Sequence, residues 1–409
     1  MMFRKTDEVK VLRDPVHGYI HVDYEAVWQC INSAWFQRLR RIRQLGGAYM
    51  VYHTADHTRF GHSLGVYEIV RRMVTEIPDI SSALTEREKL TAMLAGLMHD
   101  IGHGPYSHAF EKVSGTSHEE YTCRIIEEDP EIRGILENTA EGLAKEVADV
   151  IRHKSKNPIL PQLVSSQLDA DRMDYLLRDA YFTGTTYGAF DMERILRILR
   201  VSDGRIVVKE SGTYAVENYI MSRYHMYWQV YYHPTARCYE LMLWELFIRL
   251  RDLDKMGQWP ETLPEFRPLV QKKKLTLEQY FALDEYACGY GFAMLTKAED
   301  PVVRDLALRL TNRRLFQYCE NTPKGNRAIR AKLKAAGYDL KYYFLKDEVD
   351  QRPYIPYSGK RSGGIWVQMH TGEILELSSA SNIVNSLVKG PVGSDNRVYF
   401  PEIDYIPGE

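Results

Sequence analysis

The chain has 409 residues, more than one ordinary domain, so its length predicts one large domain with an appendage or two domains. Hydrophobic residues make up 44% and charged residues 26% of it, which is typical of a soluble globular protein. The formal net charge of −2 excludes a general attraction to nucleic acid or to an anionic membrane, so any anion must bind at a local cluster.

Cysteine usage and the N-terminal sequence predict a cytoplasmic protein. The five cysteines are scattered and have no C-x-x-C spacing, which argues against a disulfide framework or a zinc knuckle and for a reducing compartment. The first ten residues lack the apolar segment of a signal peptide. No apolar run approaches the roughly 18 residues of a membrane span, so no membrane partner is expected.

A turn with extended flanks is predicted for residues 10–23, where Pro15 and Gly18 separate short β-prone runs. Helical periodicity follows, and capping-box patterns at Thr85 and Ser117 begin two further helices. More helix is expected near 141–153, 164–180, 190–200 and 214–252.

The character of the chain changes after about residue 255. Three prolines and the run Lys272-Lys273-Lys274 predict a loop or linker, and β-like runs such as GIWVQMHTG and NRVYF appear toward the end. Helices are expected from Thr276 and near 301–320 and 325–337. The sequence therefore predicts a mainly α protein, with a helical region of residues 1–255 and a smaller C-terminal α+β region of residues 256–409.

The stretch from Met93 to His108 joins an apolar helix to candidate metal ligands. The helix ends in adjacent His99 and Asp100, and a Gly-rich exit with one proline carries His103 and His108. A His-Asp pair at the end of an apolar helix is held on a rigid element, as a metal ligand set requires.

Two further candidate ligands lie on other predicted helices. His62 stands four residues before Val66, on the side expected to be buried. Asp171 shares one helical face with Tyr175 and Asp179. Taken alone, His62 is more often explained as a half-buried histidine with a hydrogen-bond partner, and Asp171 is explained as a surface charge. Together they are polar groups beside apolar helices, and such groups need a partner.

Two imidazoles and two carboxylates form a mixed nitrogen and oxygen donor set. This set suits a divalent ion such as Mn, Mg, Fe, Ni or Zn, and it leaves positions for water and for a phosphate oxygen. A bound ion of this kind lowers the pKa of water and polarises phosphorus. We therefore expect metal-assisted phosphoester hydrolysis, with the identity of the metal open.

The three motifs R-F-G-H-S from Arg59, H-D-I-G-H-G-P-Y-S-H from His99 and D-A-D-R-M-D-Y from Asp169 resemble those of the HD-domain phosphohydrolases. The resemblance extends to the deoxynucleoside triphosphate triphosphohydrolases, which include the SAM- and HD-domain enzyme of animal cells and bacterial relatives, and it runs from about Lys10 to about Arg330. It implies an all-helical HD-domain core. It also implies dGTPase-like hydrolysis of a dNTP to deoxynucleoside and inorganic triphosphate.

By this resemblance, the metal ligands are His62, His99, Asp100 and Asp171. The family's histidines near the α-phosphate correspond to His108 and His118, with His103 in the same loop. One of them is expected to protonate the 5′-oxygen of the leaving group, a role that imidazole suits near neutral pH.

The resemblance also implies a substrate pocket. Arg59 and Arg172 are expected to hold the triphosphate, and Gln44 and Leu45 to lie beside the sugar. An apolar Leu45 against C2′ disfavours a 2′-hydroxyl, which favours deoxynucleotides. Tyr175 and Asp179 are expected to contact the sugar 3′-hydroxyl. His233 is expected to contact a phosphate, although Gln229, upstream of it, replaces an expected arginine.

Nucleotide activator sites between subunits, and a homotetramer, are further implications of the resemblance. The matching positions are Lys10, Val11, Asn32, Gln37, Arg40 and Arg313. Asn32 stands where the animal enzyme has an acidic residue, and an amide cannot accept two guanine N–H bonds as a carboxylate does, so selectivity for GTP is not expected to carry over. The alternative for Lys10, Arg40 and Arg313 is ordinary surface charge. The C-terminal region is expected to serve assembly or regulation.

Two other functions remain open at this point. One is HD-type hydrolysis of another phosphoester, such as a cyclic dinucleotide, a 5′-mononucleotide or an alarmone; Gln44-Leu45 argues against it. The other is a regulatory nucleotide- or nucleic-acid-binding protein with a vestigial site, for which the basic clusters Arg38–Arg43 and Lys324–Lys334 provide local charge. The complete set of predicted ligands argues against a vestigial site.

Overall fold

The computed structural model describes residues 3–351, 354–356, 364–390 and 393–403. These residues form a mainly α-helical protein with three small sheets, which confirms the predicted fold class. One hydrophobic cluster runs from Phe3 to Tyr399 and includes side chains on both sides of residue 255. The division of the chain at residue 255 stays a prediction. Within the described ranges, no helix is long and apolar enough to cross a membrane.

The helices of the first half enclose the predicted site. They are α1 Glu25–Asn32, α2 Ala34–Arg38, α3 Arg59–Glu76, α4 Pro78–Ser82, α5 Glu86–Met98, α6 His108–Ser114, α7 His118–Glu128, α8 Pro130–Thr139, α9 Leu143–Ile151, α10 Ile159–Val164, α11 Ala170–Thr183 and α12 Met192–Ile198. The capping box of α5 forms at Thr85 and Glu88 as predicted. Ser117 caps α7 by accepting from the amide of Glu119.

The second half contains ten more helices among the described residues. They are α13 Thr213–Met226, α14 Pro234–Lys255, α15 Phe266–Val270, α16 Leu277–Ala282, α17 Glu285–Leu295, α18 Pro301–Thr311, α19 Pro323–Ala335, α20 Leu340–Tyr343, α21 Leu377–Ala380 and α22 Asn382–Lys389.

Nine strands complete the described structure. They are β1 Lys5–Asp14, β2 Gly18–Tyr24, β3 Leu199–Ser202, β4 Arg205–Lys209, β5 Gln317–Glu320, β6 Leu345–Gln351, β7 Trp366–Gln368, β8 Ile374–Glu376 and β9 Gly393–Phe400. The sheet orders are β1-β2, β3-β4-β7-β8 and β5-β9-β6, and only the β4–β7 pair is parallel.

The β1–β2 hairpin forms where the sequence predicts a turn. Its strands pair antiparallel from Lys10 opposite Val22 to Asp14 opposite Gly18. Gly18 has a φ of 74°, which glycine adopts at little steric cost. The hairpin packs on α3, where the Tyr67 hydroxyl donates to the carbonyl of His21 at 2.9 Å.

Helices α3, α5 and α11 pack closely because glycines stand at their contacts. A Cβ added at Gly96 of α5 would lie 2.9 Å from a methyl carbon of Val70 in α3. A Cβ added at Gly65 of α3 would lie 1.8 Å from Oδ1 of Asp174 in α11. Residue 65 therefore has to be glycine for α11 to sit at this distance from α3.

Three helices predicted from the sequence end earlier than expected. The segment 214–252 is broken by a π-helical turn at Tyr227–Tyr231, and α14 restarts at Pro234 because a residue before proline avoids helical angles. Residues 317–320, expected to close a helix, instead form β5 on β9. Leu199–Ser202 forms β3 on β4 rather than the end of α12. Strand pairing outweighs local helical periodicity in both cases, with the distant β9 for β5 and with the adjacent β4 for β3.

Candidate metal centre and substrate pocket

Three helices bring the four predicted metal ligands to one buried point. His62 lies in α3, His99 and Asp100 directly follow α5, and Asp171 lies in the first turn of α11. Nε2 of His62 lies 3.1 Å from Oδ1 of Asp171 and 3.6 Å from Oδ2 of Asp100. Nε2 of His99 lies 3.4 Å from Oδ1 of Asp100 and 3.6 Å from Oδ1 of Asp171. His62, His99 and Asp100 thus form a group that can hold one metal ion, and Asp171 lies within 3.6 Å of both histidines.

A hydrogen-bond acceptor lies next to Nδ1 of both His62 and His99. Oδ2 of Asp174 lies 2.8 Å from Nδ1 of His62, and the carbonyl oxygen of Gly96 lies 2.8 Å from Nδ1 of His99. With the proton on Nδ1, each ring directs the lone pair of Nε2 toward the carboxylates. Both Nε2 atoms are buried and have no hydrogen-bond partner among the described residues. The donor set therefore fits a divalent metal ion, for which His62, His99 and Asp100 would be ligands with Asp171 beside them.

The charges around His62 favour a bound cation. Burial acts to lower the pKa of His62, but the carboxylates of Asp171, Asp174 and Asp100 raise it to about 10. Burial acts to raise the pKa of Asp171, but the close approach of His62 and His99 holds that pKa well below its usual range. The centre thus binds positive charge tightly, as a proton or as a metal ion.

Arg59 closes one side of the metal centre. It forms an ion pair with Asp100, and its Nη2 donates to Oγ of Ser107 at 2.8 Å. Ser107 and Tyr106 have φ angles of 51° and 58°, a left-handed conformation that is strained for residues with a side chain. The amide of Tyr106 donates to Glu285 of α17 at 3.5 Å. The loop before α6 is therefore held in a strained conformation beside the metal centre.

Two of the three predicted catalytic histidines lie together. The rings of His103 and His118 stack with their centroids 3.8 Å apart, and Nε2 of His103 lies 3.3 Å from Oδ1 of Asp100. Burial and the neighbouring Arg59 hold the pKa of His103 well below its usual range. The side chain of His108 lies outside the described residues.

Glu111 was not predicted from the sequence, although it contacts a predicted catalytic residue. One of its carboxylate oxygens lies 2.6 Å from Nδ1 and 2.7 Å from the amide nitrogen of His118. The available signal was its position one helical turn after His108, since residues three apart lie on the same side of a helix.

The residues predicted to hold phosphate and sugar line the neighbouring face of α11. Arg172 donates to Oδ2 of Asp169 at 2.6 Å, and its Nε is buried without a partner among the described residues. Oδ1 of Asp179 lies 2.7 Å from Nε2 of His57, and Oδ2 accepts from the Tyr231 hydroxyl at 2.8 Å. The ring of Tyr175 lies 6.0 Å from that of Tyr231.

Gln44 and Leu45 reach this face from the loop after α2. The amide of Gln44 donates to the carbonyl of His57 at 3.0 Å, which connects the loop to the Asp179 contact. Oε1 of Gln44 is buried and, within the described part of the chain, has no partner. Leu45 is 8% exposed and belongs to the hydrophobic core.

Arg223 was also not predicted from the sequence. Its Nη1 donates to Oε1 of Gln167 at 3.0 Å, its guanidinium lies 5.7 Å from the Tyr227 ring, and its Nε is buried without a described partner. Burial and the nearby Arg172 act to lower its pKa, but Tyr175 and the other tyrosines around it raise the pKa overall. Two neighbouring half-buried guanidinium groups make this face suited to an anionic ligand.

Comparisons with known proteins agree with this geometry. The HD domain family model matches residues 59–179, and the HD associated region matches residues 190–257. The chain is 45% identical over 405 residues to the uncharacterized protein YwfO of Bacillus subtilis, covering 97% of this chain and 93% of that one. A phosphohydrolase structure from Bacteroides thetaiotaomicron has a TM-score of 0.85 and 30% identity, covering 97% of this chain and all of that one. The chain belongs to the HD-domain phosphohydrolases.

A third relative is named for an activity on deoxynucleotides. The deoxynucleoside triphosphate triphosphohydrolase SAMHD1 homolog of Dictyostelium discoideum is 30% identical over 275 residues. The match covers 63% of this chain and 52% of that protein. The similarity therefore spans about half of the relative.

His233 lies away from the contacts of the HD-domain centre that are described above. Its Nδ1 accepts from the amide of Thr235 at 3.2 Å, which caps α14, and its ring lies 6.2 Å from that of Tyr52. Its predicted phosphate contact stays a prediction.

The positions predicted to bind an activator lie at or near the surface of this HD-domain phosphohydrolase. Arg40 stacks on the Phe60 ring at 3.6 Å and donates to Gln37 at 2.9 Å, while Arg313 donates to the carbonyl of Met50 at 2.8 Å. Asn32 donates to the carbonyl of Trp28 at 2.8 Å. Val11 is 49% exposed and Lys10 pairs with Glu8 at 3.0 Å. Their regulatory role stays a prediction.

Proposed function

We propose that this HD-domain phosphohydrolase hydrolyses deoxynucleoside triphosphates to deoxynucleoside and inorganic triphosphate. The observation that carries the proposal is a candidate metal-binding set with the buried Arg59 and the half-buried Arg172 beside it. Arg59 pairs with the ligand Asp100, and Arg172 directly follows the ligand Asp171. Guanidinium groups match phosphate oxygens with two parallel hydrogen bonds, so a polyphosphate is the anion that suits the centre best. The named activity of the SAMHD1 relatives supports the same substrate class.

The reaction replaces the bond between the α-phosphorus and the 5′-oxygen by a bond from water. A bound divalent ion supplies a water of lowered pKa and polarises the α-phosphoryl group. We assign His62, His99, Asp100 and Asp171 as its ligands. Arg59 and Arg172 orient the triphosphate, and His118, held by Glu111, gives a proton to the departing 5′-oxygen. His103 and His108 share this side of the pocket in the proposal.

Specificity for the deoxyribose follows from the face of α11. We assign Asp179, held between His57 and Tyr231, as the acceptor for the 3′-hydroxyl, with Tyr175 beside it. Leu45 offers no polar partner for a 2′-hydroxyl, so a ribonucleotide loses a hydration shell without compensation.

Regulation and assembly are part of the proposal. We assign Lys10, Val11, Asn32, Gln37, Arg40 and Arg313 to a nucleotide activator site, and residues 256–409 to assembly of a homotetramer. A cytoplasmic enzyme would meet dNTPs and a divalent ion together.

The test is a panel of dNTPs and NTPs with Mn²⁺ or Mg²⁺, followed by chromatographic identification of products. We expect inorganic triphosphate and deoxynucleoside, with solvent ¹⁸O entering the triphosphate and not the deoxynucleoside. Release of monophosphate and pyrophosphate contradicts the proposal. His99→Ala should abolish turnover, whereas His153→Ala, at an exposed position outside the centre, should not. Cyclic dinucleotides, 5′-mononucleotides and an oligonucleotide belong in the panel, since turnover of one of these alone would select an alternative function.

A further inference from the structure

The turn of the β1–β2 hairpin reaches the metal centre through one buried carboxylate. Nε2 of His17, in the turn, lies 2.6 Å from Oδ1 of Asp174. The two side chains are 2% and 0% exposed. The other oxygen of the same carboxylate, Oδ2, lies 2.8 Å from Nδ1 of His62. Asp174 thus bridges the N-terminal hairpin and a proposed metal ligand.

Asp174 is fully occupied by donors, so it cannot turn away from His62 without losing other bonds. Arg178 donates to both of its oxygens, from Nε at 2.8 Å and from Nη2 at 2.9 Å. Gly65 leaves just enough space for Oδ1, as the position of an added Cβ shows. A carboxylate held this way against Nδ1 fixes both the tautomer and the ring plane of His62.

The turn is itself shaped by the same arginine. Arg178 donates from Nη1 to Oδ2 of Asp14 at 2.8 Å. Oδ1 of Asp14 accepts from the amides of Val16 at 2.8 Å and His17 at 3.0 Å, which sets the backbone of the turn. One guanidinium therefore connects the carboxylate that shapes the turn with the carboxylate that orients the metal ligand.

We propose that His17 and Asp174 are positioning residues for His62, so that docking of the β1–β2 hairpin and binding of the metal ion stabilise each other. The inference rests on the assignment of His62 as a ligand. A two-stranded hairpin is barely stable by itself, so this one depends on its docking contacts. Because coupling between two equilibria is reciprocal, the metal ion must protect the hairpin by the same factor by which the hairpin raises metal affinity.

The test titrates the metal-free full chain with Mn²⁺ alone by calorimetry. His17→Ala is expected to weaken Mn²⁺ binding by about 10-fold or more, the usual effect of removing a group that orients a ligand. His17→Gln keeps a side-chain N–H donor for Asp174 and should recover most of the affinity. Tyr67→Phe removes a hairpin contact to His21 that does not involve Asp174, and it should weaken Mn²⁺ binding much less than His17→Ala does.

Hydrogen exchange gives a second readout that is independent of turnover. In the natural protein, Mn²⁺ should slow exchange of the amides of residues 5–24, and in His17→Ala this protection should be lost. Equal weakening by Tyr67→Phe and His17→Ala would show a general loosening and overturn the inference. If Mn²⁺ does not change the rate of amide hydrogen exchange in the hairpin of the natural protein, the inference is also overturned. This measurement does not depend on the folding of any variant.

His62→Ala separates the two assignments. If it binds Mn²⁺ normally, the ligand set itself is wrong. If it loses Mn²⁺ while His17→Ala binds as the natural protein does, the ligand set stands and the link to the hairpin fails.

Discussion

The carboxylate of Glu111 lies 2.6 Å from Nδ1 of His118. An acceptor at Nδ1 leaves Nε2 as the ring atom that can exchange a proton with substrate. The same carboxylate accepts from the amide of His118, so ring and backbone are fixed together at the start of α7.

Glu111→Gln should therefore lower kcat while leaving metal binding unchanged. We expect a loss of roughly 10- to 100-fold, because general acid catalysis contributes about 10²- to 10⁴-fold and the imidazole itself remains. Triphosphate release at saturating dNTP measures the effect, and metal analysis checks the centre. Glu119→Gln, an exposed neighbour in α7, is the matched control. Equal kcat in the two variants would remove Glu111 from the mechanism.

Leu45→Ala should weaken discrimination against ribonucleotides. Removing a buried apolar side chain opens space and admits water beside C2′, so the ratio of kcat/KM for dNTP over NTP should fall by about 10-fold or more. Leu84→Ala, 7% exposed and in the connection before α5, is the control. It should lower the melting temperature without changing that ratio. An unchanged ratio in Leu45→Ala would mean that another residue reads the sugar.

Metal binding should tighten as pH rises from about 6 to 8, because ligands must lose their protons to bind the ion. The carboxylates around His62 overcome its burial and hold its pKa at about 10 in the metal-free protein, so Mn²⁺ has to displace that proton. Calorimetry in two buffers of different ionisation enthalpy should report proton release. Removing the ion with a chelator should lower the melting temperature. The free energy of unfolding should fall by about 2.7 kcal/mol relative to the protein with the ion at ~100 times its Kd. Affinity independent of pH would contradict the ligand assignment.

Glu245 of α14 should make the folded protein less stable as pH rises. Burial, partly offset by Lys341, raises the pKa of this carboxyl from 4.5 to about 7. The folded state therefore holds its proton more tightly than the unfolded chain does. This contribution is fully present below pH 4.5 and is lost as pH rises through about 7. Glu245→Gln should flatten the dependence and raise stability near pH 8 by roughly 1–3 kcal/mol. Chemical denaturation at several pH values in this range measures the free energy of unfolding. If that free energy depends on pH in the same way in the variant and in the natural protein, the prediction is wrong.

The proposed metal ligands could be identified from the sequence because each lies in a local pattern. His62, His99 and Asp171 stand on or beside helices whose periodicity the sequence displays, and packing of those helices brings the ligands together. Glu111 and His57 carry no such pattern. Their importance comes from contacts to His118 and Asp179, which only the folded chain creates.

The pocket beyond α13 was harder to predict for a geometric reason. The π-helical turn at Tyr227–Tyr231 changes the number of residues per turn. A helical face assigned from the sequence at 3.6 residues per turn is therefore wrong for the residues beyond this turn. Counting back from His233 points to Gln229 as the position of an expected arginine. The arginine that lies beside Arg172 is Arg223, on the near side of the turn.

The ion pair between Asp14 and Arg178 joins the hairpin to α11, and loss of that hairpin would change how purified samples of this protein behave. Loss of the hairpin after a protease cut within β2 would leave the helices in place, so the clipped protein should still elute and melt as a folded species. It would nevertheless lack His17 next to Asp174, and it should carry less metal. Batches that differ in specific activity should then be sorted by intact mass before any difference is attributed to the ion supplied.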